Sequence, residues 1–264
     1  TAAPAALRIY VLDVGGDDAV LVRTPAGRTI LIDGGSDPTA LLTQLGQRLG
    51  LLDRNLTVAI LTRADAAHVP GLTAAAGRFP PALVVLPPEG SNSAAYTQLL
   101  GIASQTKTLT ADSGMTIEIE PGVSLELTPT RPLPGPANDA TPPLRSLAVR
   151  IVDRGVTVLV APGLTAPGIH DLAAGGWPLR ADAWLMPYHG DRVALDSEAL
   201  ANIDPTVAII AVGPRDRANH PAPAVLDLLR DRQLFRTDLQ GTITIETDGS
   251  RLEISTERIA PGRT

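Results

Sequence analysis

Short β-strand patterns alternate with helix patterns along most of this chain of 264 residues, and this alternation restricts its fold most strongly. Residues 7–35 contain three short runs of alternating apolar and polar residues, separated by glycine and proline turns. Residues 37–50 then carry leucines at helical spacing, with Asp37 as the predicted N-cap and Pro38 at the first helical position. Strands that alternate with helices predict a layered α/β fold.

The same alternation occurs twice, on either side of a proline-rich segment. A first half covers about residues 7–128 and a second half about residues 144–255, and residues 129–143 between them are predicted to form an exposed loop. We predict that residues 1–264 form one domain, in which the two halves pack as an α/β sandwich. Clefts are then expected where loops follow the ends of the strands.

Composition limits the chemistry that such a cleft can perform. The chain has no cysteine and only four histidines, so a metal site would have to use histidine and carboxylate ligands. A net charge of -6 argues against broad coating by nucleic acid, although a local basic patch is compatible with it. Nearly all basic residues are arginine, since Lys107 is the only lysine, and arginine binds phosphate in bidentate geometry.

Polar residues gather in the loops that follow the predicted strands. Six such segments occur along the chain, and they read LDVGGDDA (12–19), LIDGG (31–35), TRADAAHVPGL (62–72), APGL (161–164), PYHGD (187–191) and ANHP (218–221). In their order and spacing, these segments resemble the metallo-β-lactamase-like domain of the ComEC family, the bacterial competence channel that takes up DNA. The resemblance covers the chain from Leu7 to about Ile254.

This resemblance implies an αβ/βα four-layer sandwich, in which two mixed β-sheets are flanked by helices. It also implies a soluble domain attached to a bacterial membrane protein, so its partner would be the transmembrane remainder of a longer chain. The absence of an initiator methionine at Thr1 fits that expectation. The side of the membrane and the oligomeric state are left open by the sequence.

Four positions depart from the metal-binding pattern of the family. Its metal loop has the form S-H-x-D-x-D-H, and here Arg63 replaces the first histidine and Ala67 the second aspartate. Leu164 replaces the bridging aspartate of T-G-D, and Tyr188 replaces the first histidine of H-H-G. A bridging carboxylate holds two metals about 3.5 to 4 Å apart, so its loss predicts the loss of two-metal hydrolysis. No residue is therefore predicted to be catalytic.

Five positions of the family pattern are retained. Asp65, His68 and His189 are candidates for a reduced site with one zinc or manganese ion, and Asp33 and His220 are further residues of the same former metal cleft. The alternative is that Asp65 pairs with Arg63, that His68 caps the next helix or is a hydrogen-bonded, semi-buried histidine, and that the other two histidines are rim residues. Any metal is opposed by Arg63, which carries a positive charge at every working pH.

Arginines offer a second interpretation of this cleft. Arg63, Arg192, Arg215 and Arg217 all fall in loops that the resemblance brings together, and together they would attract phosphate groups or single-stranded DNA. The alternative is that nearby carboxylates neutralise these arginines in surface pairs. The candidate acidic partners are Asp17, Asp18, Asp65, Asp191 and Asp216.

Three functions follow from these observations. The first is a degenerate metallo-β-lactamase-like domain of a ComEC-like DNA internalisation protein, with a structural or DNA-guiding role and no cofactor. The second is an active metal-dependent nuclease or phosphodiesterase that processes incoming DNA with a single metal ion. The third is an interaction domain unrelated to DNA. His170 matches none of the family motifs and is predicted to be a solvated helix residue.

Overall fold

Two β-sheets and seven helices make up the part of the chain that the computed structural model describes, which is residues 6–50, 53–131, 145–214, 216 and 218–259. The strands are β1 Leu7–Val11, β2 Val20–Arg23, β3 Thr29–Ile32, β4 Leu56–Ile60, β5 Pro81–Leu86, β6 Lys107–Thr110, β7 Met115–Glu120, β8 Val123–Pro129, β9 Leu147–Asp153, β10 Val156–Val160, β11 Ala183–Leu185, β12 Val207–Ile210, β13 Gln233–Arg236, β14 Ile243–Thr247 and β15 Leu252–Thr256. The helices are α1 Pro38–Arg48, α2 Val69–Arg78, α3 Ala94–Ala103, α4 Ala166–Ala174, α5 Ser197–Ile203, α6 Pro223–Leu228 and α7 Thr237–Gln240.

Both sheets are mixed and follow the same plan. The first sheet has the strand order β15-β14-β1-β2-β3-β4-β5-β6, and the second has the order β13-β12-β11-β10-β9-β8-β7. In each sheet, antiparallel neighbours lead into a run of four parallel strands that ends at one edge, β3 to β6 in the first and β10 to β13 in the second.

The inner faces of the two sheets form one apolar core because their strands alternate. Leu7, Ile9 and Val11 of β1 are buried in this core, whereas Arg8 is exposed and pairs with Glu246 on the neighbouring strand. The same core contains residues from the second sheet, so the sheets pack face to face. Members from the second sheet are Val123, Leu125, Leu127, Leu147, Val149, Ile151, Val158, Val160, Ala183, Leu185, Val207 and Ile209.

Helices cover the outer face of each sheet. The N-cap predicted for α1 is confirmed, because the side chain of Asp37 accepts hydrogen bonds from the backbone N–H groups of Thr39 and Ala40 at 2.8 and 3.1 Å. Helices α1, α2 and α3 pack on the first sheet, and α4, α5 and α6 pack on the second. The predicted αβ/βα sandwich of two mixed sheets is therefore confirmed. No helix in the described ranges has the length and apolar character needed to cross a membrane.

The two sheets do not coincide with the two halves of the sequence. Strands β7 and β8 lie in the first half but join the second sheet, whereas β14 and β15 lie in the second half and join the first sheet. Antiparallel pairing causes this exchange, because β14 pairs with β1 and β8 pairs with β9. Of the predicted proline-rich loop, residues 132–143 lie outside the described residues. The single domain over 1–264 stays a prediction.

One backbone contact fixes the start of α2 against the loop that follows β3. The backbone N–H of Gly71 donates to the carbonyl of Gly35 at 3.0 Å. A Cβ atom on Gly71 would lie 1.8 Å from the carbonyl oxygen of Gly34, which is far inside van der Waals contact. Any side chain at Gly71 would therefore push the helix away from the loop.

We expect Gly71→Ala to lower the free energy of unfolding by about 3 kcal/mol, because the methyl group cannot be accommodated without moving the backbone. The matched control is Gly46→Ala in α1, where no atom lies within 4 Å of the added Cβ. That change should raise the stability by about 0.5 to 1 kcal/mol, since alanine favours helices. Urea denaturation measures both variants, and equal effects would contradict the close contact.

Candidate functional site

Polar loops of both sheets meet where their parallel strands end. Asp33 follows β3, Arg63 lies just after β4, and a short 3-10 turn over Pro187–Gly190 follows β11. Within that turn, Tyr188 and His189 have positive φ values of 50° and 54°, which are uncommon for residues other than glycine. We call the polar residues gathered here the cleft, defined as Asp18, Asp33, Arg63, Asp65, His68, Tyr188, His189 and His220.

Arg63 connects the loops of the two sheets. Its Nε atom lies 2.9 Å from Oδ2 of Asp65, and one of its terminal N–H groups donates to the hydroxyl of Tyr188 at 3.1 Å. The Tyr188 hydroxyl in turn donates to the carbonyl of Gly163 at 3.3 Å. The guanidinium carbon lies 6.0 Å from the centre of the Tyr188 ring. The positive charge of Arg63 is thus held by one carboxylate and one phenol.

Both carboxylate oxygens of Asp65 contact neighbouring polar groups. Besides Arg63, its carboxylate accepts from the backbone N–H of Ala67 at 3.0 Å and contacts Nδ1 of His68. Burial acts to raise the pKa of Asp65, but the hydrogen bond and charge of His68 and the charge of Arg63 outweigh burial and lower this pKa. The pairing of Asp65 with Arg63 is therefore present, and His68 is a second partner.

The cleft contains two further carboxylates, Asp33 and Asp18, and both are buried. Asp33 accepts hydrogen bonds from the backbone N–H and the hydroxyl of Thr62 at 2.8 and 2.6 Å, yet burial raises its pKa to about 7. Burial likewise raises the pKa of Asp18 to about 6, against the opposing charges of His189 and His68. Oδ1 of Asp18 has no hydrogen-bond partner among the described residues.

His68 is the cationic counterpart of these carboxylates. Burial is the largest influence and acts to lower its pKa, but the negative charges of Asp33, Asp65 and Asp18 outweigh burial and raise the pKa to about 9. His68 stands at the N-cap position of α2, although its side chain makes no capping hydrogen bond. It is a buried, hydrogen-bonded histidine rather than a helix cap.

The other two cleft histidines are also held by hydrogen bonds. Nδ1 of His189 lies 2.9 Å from the carbonyl oxygen of Ala211, so this nitrogen carries the proton and donates. His220 is placed between two carboxylates, with its ring nitrogens 3.2 Å from Asp191 and 3.2 Å from Asp216. The two imidazole rings lie 5.7 Å apart, centre to centre.

A divalent metal does not fit the residues present in the cleft. Both oxygens of Asp65 already have partners, and Nδ1 of His68 is one of them. Leu164, which the resemblance places where the family has a bridging carboxylate, is 1% exposed and packs in the apolar core beside α4. Among the described residues, no three His, Cys, Asp or Glu side chains are grouped so that they could hold a metal ion. The guanidinium of Arg63 adds direct repulsion of a dication.

The four predicted anion-binding arginines have different outcomes. Arg63 lies in the cleft, and Arg192 is exposed just beyond the 3-10 turn. Arg215 and Arg217 lie outside the described residues. Two of the carboxylates considered as partners for arginine, Asp191 and Asp216, contact His220 instead. The convergence of four arginines stays a prediction.

Sequence reasoning missed two residues that shape the cleft. Thr62 fixes Asp33 through two hydrogen bonds, and Asp18 is a buried carboxylate that the sequence suggested only as a surface partner for arginine. The signal for Asp18 was its place immediately before the apolar residues 19–22, which lead into a buried strand. His170 lies on α4, as predicted, with its Nε2 atom 3.2 Å from Asp196.

The raised pKa of His68 predicts a pH-dependent stability. Because the pKa is about 9 in the folded state and 6.5 in the unfolded state, the stabilisation is fully present below pH 6.5 and is lost as the pH rises through 9. We expect the unfolding free energy to fall by about 3 kcal/mol between these pH values. His68→Gln should abolish most of this fall in urea denaturation series. The control is His170→Gln, and an unchanged slope in His68→Gln would contradict a protonated His68.

Comparison with known proteins gives one sequence relative and several structural neighbours. No protein-family model matches the chain. Over 119 residues, which are 44% of the chain, it is 28% identical to ComE operon protein 3 of Bacillus subtilis (strain 168). The matched region spans 15% of the length of that protein.

Solved structures match most of the chain. The metallo-β-lactamase fold protein YhfI from Bacillus subtilis superposes with a TM-score of 0.57 at 13% identity, covering 87% of this chain and 96% of YhfI. Zn²⁺-bound PqqB from Methylobacterium extorquens gives a TM-score of 0.59 at 15% identity, with 87% and 97% covered. CmlA, a diiron β-hydroxylase from Streptomyces venezuelae, gives 0.59 at 15% identity, with 93% and 55% covered. The two-sheet sandwich described above therefore has the metallo-β-lactamase fold.

Proposed function

We propose that this chain is a catalytically inactive metallo-β-lactamase-fold domain of a ComEC-like DNA internalisation protein. Its role is structural or DNA-guiding, and its cleft works without a metal ion. The observation that carries this proposal is the position of Arg63, which is ion-paired with Asp65 and hydrogen-bonded to Tyr188. The sequence similarity to ComE operon protein 3 and the ordered motifs of the ComEC family support the assignment to DNA uptake.

The charge balance of the cleft supports inactivity. Hydrolysis of a phosphodiester by this fold needs cations that polarise the phosphate and activate water. Here Asp65 is paired with both Arg63 and protonated His68. Neither cationic side chain can bind and activate a water molecule as a metal ion would. The buried Leu164 stands where the family pattern has the bridging ligand.

An active nuclease with one metal ion is the competing proposal. It would require Asp65, His68 and His189 to release their present partners and converge on a metal. Asp65 would have to give up Arg63, and Nδ1 of His189 its bond to the carbonyl of Ala211. These losses make the inactive domain the better-supported function. An interaction domain unrelated to DNA is the third candidate, and no contact in the cleft favours it.

Attachment to a membrane protein forms part of the same proposal. The partner is the transmembrane remainder of a longer chain in a bacterial cell membrane, as in the family that the motifs resemble. Single-stranded DNA is the second proposed partner. Of the two candidate arginines that the structure describes, Arg192 is the one that is exposed and forms no ion pair with another described residue.

We expect the protein to hold no stoichiometric zinc or manganese after incubation and gel filtration, and to leave single-stranded DNA uncut in the presence of manganese. The matched variant is Arg63→His, Ala67→Asp, Tyr188→His, which restores three family ligands without placing a carboxylate in the core. Metal analysis should detect binding in this variant, because the repelling guanidinium is replaced by a ligand. Cleavage by the wild type that a chelator abolishes would overturn the proposal.

Binding of single-stranded DNA tests the guiding role separately. We expect weak binding at low salt, and we expect Arg192→Ala to weaken it and to reduce the salt slope by about 0.7, the value for one lost phosphate contact on a single strand. Arg63→Ala should change the slope less, since Asp65 already neutralises Arg63. Arg251→Ala, on the β14–β15 hairpin, is the control. A fluorescence titration with no binding at low salt would remove the guiding role and leave the structural one.

A further inference from the structure

A second polar cavity lies in the second sheet, away from the cleft. Its volume is about 470 Å³, and we call it the arginine pocket. The side chains that define it are Arg150, Thr157, Arg180, Asp182, Asp204 and Arg232. Small-molecule sites in proteins have volumes of about 300 to 1,000 Å³, so the pocket can take a compact ligand.

The position of the arginine pocket separates it from the cleft. Asp182 directly precedes β11, and Arg232 directly precedes β13, so the pocket lies at the amino ends of the parallel strands. Tyr188, His189 and His220 of the cleft follow the carboxyl ends of β11 and β12, at the opposite end of the same strands. A ligand in the arginine pocket therefore cannot be a ligand of the cleft.

Two of the three arginines share one carboxylate. Asp204, at the end of α5, accepts a hydrogen bond from Arg180 at 2.6 Å on one oxygen and from Arg232 at 2.8 Å on the other. A guanidinium has five N–H donors, so each arginine uses only part of its capacity. The described residues provide no second acceptor for either guanidinium. Asp204 therefore holds two guanidiniums together while most of their donors stay uncommitted.

The third arginine is the most buried. The side chain of Arg150 is 11% exposed and pairs with Glu126, and its guanidinium lies 5.9 Å from the centre of the Trp177 ring. Its Nε atom is buried and has no acceptor among the described residues. A buried donor without an acceptor is unfavourable, and an oxyanion in the pocket would supply an acceptor.

The remaining lining restricts the chemistry of the ligand. Asp182 is already committed, because it accepts from the backbone N–H of Thr157 at 2.8 Å and joins β10 to the loop before β11. The lining contains no large apolar side chain, so nothing in it would recognise a hydrophobic group. Glu126, Asp182 and Asp204 offset the charge of the three guanidiniums, so the uncommitted N–H donors are what favour a ligand, and they favour a small anion with several acceptor oxygens.

We propose that the arginine pocket binds a compact oxyanion of the phosphate class, with Arg180 and Arg232 as its main ligands and Arg150 as the third. Asp204 holds the two outer guanidiniums in their binding geometry and competes with the anion for their donors. This site does not depend on the function proposed for the cleft. The competing explanation is a purely structural cluster, in which the arginines only neutralise Asp204 and the carboxyl end of α5.

Isothermal titration of the intact chain with inorganic phosphate and with pyrophosphate at low ionic strength tests this site. We expect saturable binding of one anion, with pyrophosphate bound more tightly because it carries more charge. The double variant Arg180→Gln, Arg232→Gln should weaken binding by about tenfold or more, the effect of losing charge-assisted hydrogen bonds. The matched control is Arg8→Gln, Arg251→Gln, which removes two exposed, ion-paired arginines elsewhere.

Asp204→Asn separates a binding site from a structural cluster. Asp204 has a positive φ of 46°, which asparagine also tolerates, so the backbone should be preserved. A binding site predicts tighter pyrophosphate binding in this variant, because a competing negative charge is removed. A structural cluster predicts lower stability and no binding in any variant.

Three outcomes would overturn the proposal. The first is the absence of saturable binding by either anion, and the second is an equal loss of binding in the control double variant. The third is binding of a single-stranded oligonucleotide through Arg180 and Arg232 without binding of pyrophosphate, which would indicate an extended polyanion surface. Circular dichroism of each variant verifies that the fold is retained.

Discussion

Face-to-face packing of two apolar sheet surfaces determines where every functional side chain of this protein lies. Strands such as β1 place each second residue in the shared core and leave the residues between them for the helices or for solvent. Because the sheets are fixed in this way, the loops that follow the carboxyl ends of their parallel strands converge in the cleft. A backbone hydrogen bond from Leu147 to the carbonyl of Thr62, at 2.9 Å, ties the second sheet to the loop that contains Arg63.

Three carboxylates and two cationic side chains lie together in the cleft. Asp18, Asp33 and Asp65 are carboxylates that need nearby positive charge when ionised, and two of them are buried. In this chain the positive charge comes from Arg63 and from His68, whose pKa is raised to about 9 by those carboxylates. Side-chain cations thus lie next to these carboxylates and partly offset their charge.

Local signals in the sequence predicted local structure well. Helix α1 was predicted from its capping residues, and the sandwich from ordered motifs that follow strands. The exchange of strands between the sheets was not predictable, because β1 and β14 are joined only by pairing across the length of the chain. Helix α3 has no clear leucine spacing and was not predicted. The bond between Arg63 and Tyr188 joins residues 125 positions apart, and no spacing rule reports such a contact.

Pairing of β14 with β1 also has a consequence for biosynthesis. The first sheet joins strands that are far apart in the sequence, since Leu7 pairs with Thr247 and β15 lies on the other side of β14. During translation, β1 therefore has one open edge until β14 has left the ribosome. Until then, β1 exposes unpaired N–H and C=O groups along that edge. The β14–β15 hairpin therefore protects β1 from association with other chains.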